Sequence, residues 1–281
     1  MQDTQTHAIQ WALPERWDTG DGFIRWASFG AGPPLVLLHG TPFSSTIWRD
    51  IVPALAQRHT VYVWDMLGFG QSESRAEDTS LTRQTEILAA LLAHWGVHAP
   101  AVIAHDVGGV VALRAMLLHG VEFSALTLIN AASVTGWGDG EFFRAVQGHP
   151  DVFTMLPPWA MDSLIEAKLR SASHTGLRAD ALRTYLAQWT RAGGREAFVR
   201  QYAQGGEEHS EELQPLLADI TIPVHVIWGV EDAWLSVDYA RQLLAALPLQ
   251  TRLTLMPDAG HAVQEDQPGA LLVALTEWRI A

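Results

Sequence analysis

Two rhythms of hydrophobic and polar positions divide the chain. In the first, short apolar runs alternate with longer amphipathic ones. "FIRWASFG" and "PLVLLHG" read as strands, the second apolar throughout, as expected of a strand covered on both faces. "STIWRDIVPALAQR" reads as a helix, and "TVYVWDMLGFG" as a strand and turn. "SLTRQTEILAALLAHWGV" predicts a long amphipathic helix with Ser80 as N-cap and Gly96 as its stop. "PAVIAHD" and "SALTLINAAS" are strands on either side of a helix, "GVVALRAMLLHG". The same alternation returns late, with "IPVHVIWG", "SVDYARQLLAAL", "QTRLTLMP" and "ALLVALTEWRI". Strands alternating with helices predict an α/β protein with a parallel sheet flanked by helices.

The second rhythm occupies the middle. From about Val134 to Leu217 the pattern is helical, with no convincing parallel strand. "SLIEAKLRSAS", "ADALRTYLAQWTRAG" and "REAFVRQYAQ" are the expected helices, punctuated by Pro157, Pro158, Gly193, Gly194, Gly205 and Gly206. The expected organisation is a core formed by residues 1–133 and 218–281, with a helical cap, 134–217, inserted into it.

Composition narrows the function. Of 281 residues, 48% are hydrophobic, enough for one large core. The net charge of −13 makes a nucleic-acid backbone a poor partner. With no cysteine, disulfides, thiolate metal sites and a thiol nucleophile are excluded. No apolar segment approaches a membrane span. The start, "MQDTQTHAIQWALPERWDTGDG", has no basic region followed by an apolar run. The expectation is a cytoplasmic protein acting on a small molecule, with no nucleic acid or membrane as partner; the oligomeric state stays open. No histidine pair has metal-ligand spacing, and no Gly-rich dinucleotide loop follows the first strand, so neither metal nor cofactor is expected.

Candidate chemistry gathers where strands end. Ligands of open parallel sheets sit beyond the carboxyl ends of the strands. "LHGTPFSS", "AHDVGG", "WGVEDAW" and "PDAGHAV" all follow strand-like runs. Thr41, Asp106, Asp232 and His261 are therefore expected on one sheet edge. Asp106 stands at a sharp strand-to-helix turn that usually carries serine. A carboxylate is already ionised at neutral pH and needs no base to attack an sp3 carbon. Attack on an ordinary ester would give a high-energy mixed anhydride. The competing readings are a helix-N-terminal carboxylate for Asp106 and a packed imidazole for His261.

These motifs resemble the α/β-hydrolase fold family, over nearly the whole chain. Ala104, Asp106, Gly108 and Gly109 match its nucleophile turn, "HGTP" its oxyanion loop, and "WDMLGFGQS" the strand and turn after its first helix. The resemblance implies a mostly parallel eight-stranded sheet with an inserted helical cap. The aspartate points to the epoxide hydrolase and haloalkane dehalogenase branch. It implies a covalent ester on Asp106, hydrolysed by water that His261 activates while Asp232 orients the imidazole. The N–H groups of Thr41 and Val107 would form the oxyanion hole. Glu231 is adjacent to the expected acid. The other place where this branch puts its acid holds Asn130, which cannot carry the charge.

The leaving-group donor is less clearly written. Haloalkane dehalogenases place a tryptophan after the nucleophile, where Val107 stands, and often an asparagine at Thr41. The arginines of fluoroacetate dehalogenases are absent before Arg114. Epoxide hydrolases use cap tyrosines, one directly before an arginine; here Val199 precedes Arg200. Tyr202 and Tyr185 are the remaining tyrosine candidates, and Trp137, Trp159 and Trp189 could offer an indole N–H. The two tyrosines favour epoxide opening on a small, neutral, fairly apolar substrate. The alternatives are a haloalkane or haloacid dehalogenase, an acid–base lyase or cyclase with no covalent step, and a non-catalytic binding protein. His39 and His105 are assigned no catalysis, and His7, His59 and His94 are read as scattered.

Overall fold

The computed structural model describes residues 11–278. His7, the start scanned for a leader, and the last residues of the final expected helix lie outside them. Eight strands form one sheet: β1 (Glu15–Asp18), β2 (Phe23–Phe29), β3 (Pro34–Leu38), β4 (Thr60–Asp65), β5 (Ala101–His105), β6 (Ala125–Ile129), β7 (Val224–Gly229) and β8 (Arg252–Met256). Their spatial order is β1-β2-β4-β3-β5-β6-β7-β8. β1 and β2 join antiparallel at one edge, and β3 to β8 pair parallel. The central strands β5, β6 and β7 are buried along their whole length, which explains runs that are apolar except for His105, Thr127 and His225. β1, "ERWD", escaped the pattern because it is a largely exposed edge strand without alternation.

Helix signals held where caps were written. Ser80 Oγ accepts from the Arg83 N–H at the start of Leu81–Trp95, and Gly96 ends that helix with φ +66°. The helix expected over 45–58 is broken instead. A 3-10 turn, Ser45–Trp48, is followed by a short helix, Val52–Leu55. Pro53 has no N–H to bond back to the preceding turn, so the helix restarts around it.

Between β6 and β7 the chain is helical, without a strand. The principal helices are Glu141–Gly148, Pro158–Arg170, Ala179–Thr190 and Gly194–Gln204. The first was not expected; its signal is cut short by Gly148, His149 and Pro150. This segment is fastened onto the sheet's loops by buried polar contacts. Gln188 Nε2 and Trp189 Nε1 donate to the Pro42 carbonyl at 3.1 and 2.8 Å. Tyr185 joins the buried Arg49–Glu265 ion pair. Among the described residues, no helix is long and apolar enough to cross a membrane.

Candidate active site

Asp106 occupies a strained turn between β5 and the helix Val107–His119, with φ +53° and ψ −127°. Glycines make room for it. A Cβ on Gly40 would lie 2.3 Å from the Asp106 Cβ, and one on Gly108 would lie 2.5 Å from the His39 carbonyl oxygen. The turn lifts the carboxylate to the carboxyl edge of the sheet. There the Thr41 N–H donates to Asp106 Oδ2 at 2.7 Å. The N–H of Val107 also favours the ionised carboxylate. Burial pushes the Asp106 carboxyl above its ordinary range, while the His261 imidazole and these N–H groups hold it down in part.

His261 follows β8 and faces both acids. Its Nδ1 is 2.9 Å from Asp232 Oδ2, and its Nε2 is 3.7 Å from Asp106 Oδ1. Asp232 is firmly held. The N–H groups of Trp234 and Leu235 donate to Oδ1 at 2.7 and 2.9 Å. Asn130 Nδ2 donates to Oδ2 at 2.7 Å, while Asn130 Oδ1 accepts from the Gly229 N–H. Asn130 thus orients the acid that follows the neighbouring strand, β7. With Oδ2 accepting from Nδ1–H, the His261 Nε2 lone pair is turned toward Asp106. Burial lowers the His261 pKa, but the charges of Asp232 and Asp106 outweigh it and hold the imidazole above its ordinary value.

Asp106, His261, Thr41 and Val107 line a cavity of about 490 Å³. Phe142, Phe143, Leu164 and Trp234 give it apolar walls. Of the donors expected from the helical segment, only Tyr202 and Trp137 line it. The Trp137 N–H is engaged by Ser210 Oγ at 2.9 Å. The Tyr202 hydroxyl is buried and has no hydrogen-bond partner among the described residues. Burial and the Asp106 charge hold it well above the ordinary phenol value, and so protonated. Tyr185 and Trp189 are turned into structural bonds away from the cavity, and Trp159 is 74% exposed. These three are corrected to packing or surface positions, because helical spacing does not reveal which face meets the cavity. Val199 is buried, and Arg200 donates to the Ser74 carbonyl. Arg114 pairs with Glu212.

His39 and His105 are buried and bonded to backbone. His39 Nε2 accepts from the Met66 N–H at 2.9 Å, and His105 Nε2 lies 2.9 Å from the His261 carbonyl oxygen. Burial lowers both pKa values. Among the described residues, no three His, Asp or Glu side chains are grouped to hold a metal. Trp234, Lys168, Phe142 and Phe143 are among the cavity residues that the sequence reading did not single out. The Trp234 ring lies 4.5 Å from that of His261. Lys168 is the chain's only lysine, and that rarity was the available signal.

The sequence profile of the alpha/beta hydrolase fold family matches residues 33–268. The chain belongs to this family. A crystal structure of an alpha/beta hydrolase fold protein from Burkholderia ambifaria superposes on this member with a TM-score of 0.92 and 39% identity, covering 96% of this chain and all of that one. A soluble epoxide hydrolase from Corynebacterium sp. is 26% identical over 261 residues, 87% of this chain and 89% of that protein. Haloalkane dehalogenase 2 of Mycobacterium tuberculosis is 26% identical over 279 residues, 93% of each chain. A dihydrolipoyllysine-residue acetyltransferase component of an acetoin cleaving system from Pseudomonas putida is 25% identical over 260 residues; the match takes in 91% of this chain but 66% of that longer protein.

Proposed function

We propose that this alpha/beta hydrolase opens an electrophilic carbon–heteroatom bond through a covalent ester on Asp106. The carrying observation is the carboxylate itself, with one oxygen held by the Thr41 N–H and the other facing His261. In the first step an Asp106 oxygen attacks carbon and the leaving atom takes the bonding electrons. In the second, His261 takes a proton from water, whose oxygen adds to the Asp106 carbonyl carbon. The resulting oxyanion lies where Thr41 and Val107 present their N–H groups. Asp232 stabilises the imidazolium formed meanwhile; as the intermediate collapses, the bond between the Asp106 carboxyl carbon and the oxygen that attacked breaks, and the imidazolium returns its proton to the departing alcohol oxygen. The helical segment acts as a cap that excludes water from the first step.

Epoxide opening is the favoured reaction. An opening epoxide needs a proton at oxygen, and Tyr202 brings an unengaged, protonated hydroxyl to the same cavity. The indoles of Trp137 and Trp234 already donate, to Ser210 and Ser171, so they favour halide departure less. Replacing Tyr202 by Phe is expected to lower kcat on a terminal epoxide by about 10²-fold. A panel of epoxides, alkyl halides and haloacids, assayed with the wild type and Asp106→Asn, tests the reaction class. Single turnover in ¹⁸O-water tests the mechanism: the first product is expected to carry oxygen from Asp106, and solvent oxygen in that first product would exclude the ester.

The raised His261 pKa has a definite sign. Water activation needs neutral imidazole, so ester hydrolysis is expected to slow as pH falls through the imidazole pKa, which the Asp232 charge still raises once esterification has removed that of Asp106. Alkylation of Asp106 does not need that base. Rapid-quench mass spectrometry should therefore find more Asp106 ester at mildly acidic pH than at neutral pH.

A further inference from the structure

Seventeen arginines and a single lysine make up the 18 basic residues of the chain. Several arginines sit in ion pairs, as Arg49 does with Glu265, Arg170 with Glu166 and Arg195 with Asp162. Lys168 differs in kind. It lines the cavity, with its Nζ 3.4 Å from the centre of the Trp234 ring and 5.5 Å from that of Phe142. Among the described residues, no carboxylate lies within ion-pair distance of it. The acids at the site are otherwise engaged: four donors surround the oxygens of Asp232, which lies behind the cavity lining, and Asp106 is held by backbone and faces His261. The remaining acid of the cavity lining, Glu141, is solvent-exposed.

A cation in the last turn of a helix is ordinarily stabilised by the helix dipole, and Lys168 has that position in Pro158–Arg170. The dipole does not explain its direction. Arg170, in the same turn, is 56% exposed, whereas Lys168 turns inward between two aromatic faces. An ammonium is a compact, strongly hydrated charge, costly to bring among apolar walls without an anion. Burial pulls its pKa down to about 8, against the opposing pull of Asp106 and Asp232. Lys168 is thus a cation of this cavity without an ion-pair partner among the described residues, and the partner that its charge would accept is an anionic oxygen. Lys168 is half-buried and lies beside exposed Ala167 and Ser171, whereas the Tyr202 hydroxyl is fully enclosed.

We propose that Lys168 binds a carboxylate of the substrate, so that the cavity takes a short apolar chain with the electrophilic carbon and an acid head group at different points. The proposal deepens the reading of Asp106 above and rests on it for the reaction. It replaces the sequence expectation of a neutral substrate, which was drawn without a basic residue in the pocket. Electrostatic matching of this kind contributes mainly to selection and ground-state binding.

An unreactive ligand separates this claim from the chemistry. Hexanoate and hexan-1-ol share an apolar chain and differ in the head group. Their Kd values would be measured with the full chain by calorimetry at neutral pH. The wild type is expected to bind hexanoate at least about tenfold more tightly. Lys168→Met should abolish that preference, and Lys168→Arg, which keeps the charge, should retain most of it. As a second readout, hexanoate should slow reductive methylation of Lys168, followed by mass on its peptide, more than hexan-1-ol does. Equal affinity for the two ligands, binding of neither, or an undiminished preference in Lys168→Met overturns the proposal. None of these results depends on whether Asp106 forms an ester, which the labelled-water experiment decides by itself.

Discussion

Replacing His261 by Gln is expected to stall the reaction after its first step and leave the substrate bonded to Asp106. The reasoning follows from the division of labour in the proposed mechanism. The attacking group is a carboxylate, so the first step needs no proton removed from the nucleophile. The second step needs a base for water, and His261 is the group whose free Nε2 faces Asp106, at 3.7 Å from its Oδ1. Loss of a general base costs about 10²–10⁴-fold. Steady-state turnover should fall by about that factor, while a stoichiometric burst survives. The peptide containing Asp106 should gain the mass of the substrate, for an epoxide, or that mass less the hydrogen halide, for an alkyl halide. Loss of activity without any adduct would support acid–base lyase or cyclase chemistry instead. Asp106→Asn provides the complementary control, since the adduct should be absent there from the first turnover.

The second large effect concerns stability. Glu265→Ala is expected to destabilise the protein by about 3–5 kcal/mol, because it leaves a buried guanidinium with only the exposed Asp50, at 3.4 Å, as counter-charge. Arg49 and Glu265 are 6% and 3% exposed, and they meet through two bonds, at 2.5 and 2.8 Å. Tyr185 completes the cluster by donating to Glu265 and accepting from Arg49. Burial and the Glu265 charge keep its phenol protonated. This cluster ties the helix Ala179–Thr190 to the turn after β3 and to the segment after His261. Thermal unfolding should fall by on the order of 10 °C. Replacing Arg49 and Glu265 together by apolar residues should cost less than Glu265→Ala alone, because no charge is then left unpaired. A double variant at least as unstable as the single one would contradict this account.

The core of the fold was legible because its signals are local. Central strands buried on both faces are apolar at nearly every position, and Ser80 and Gly96 mark a helix by backbone chemistry that needs no tertiary partner. What is local also fails locally. β1 carries no alternation because one exposed edge imposes none, and the run 45–58 has helical periodicity but is interrupted at Pro53. The places of Asp106, Asp232 and His261 could be anticipated because each follows a strand, and the carboxyl ends of parallel strands converge.

The helical segment obeys no such rule. Tyr185 and Tyr202 looked equivalent as tyrosines on amphipathic helices, yet one closes an ion-pair cluster and the other lines the cavity, its hydroxyl without a hydrogen-bond partner among the described residues. Trp137 and Trp189 spend their N–H groups on Ser210 and Pro42, partners remote in sequence. Lys168 shows the limit most clearly: its rarity is written in the sequence, but its lack of a counter-charge is a property of what surrounds it. By itself, then, the sequence determined the α/β order and the identity of the groups at the strand ends, because backbone periodicity and sheet geometry dictate them. Only the tertiary structure decided which side chains of the helical segment face Asp106, because helix packing angles and long-range hydrogen bonds choose that face.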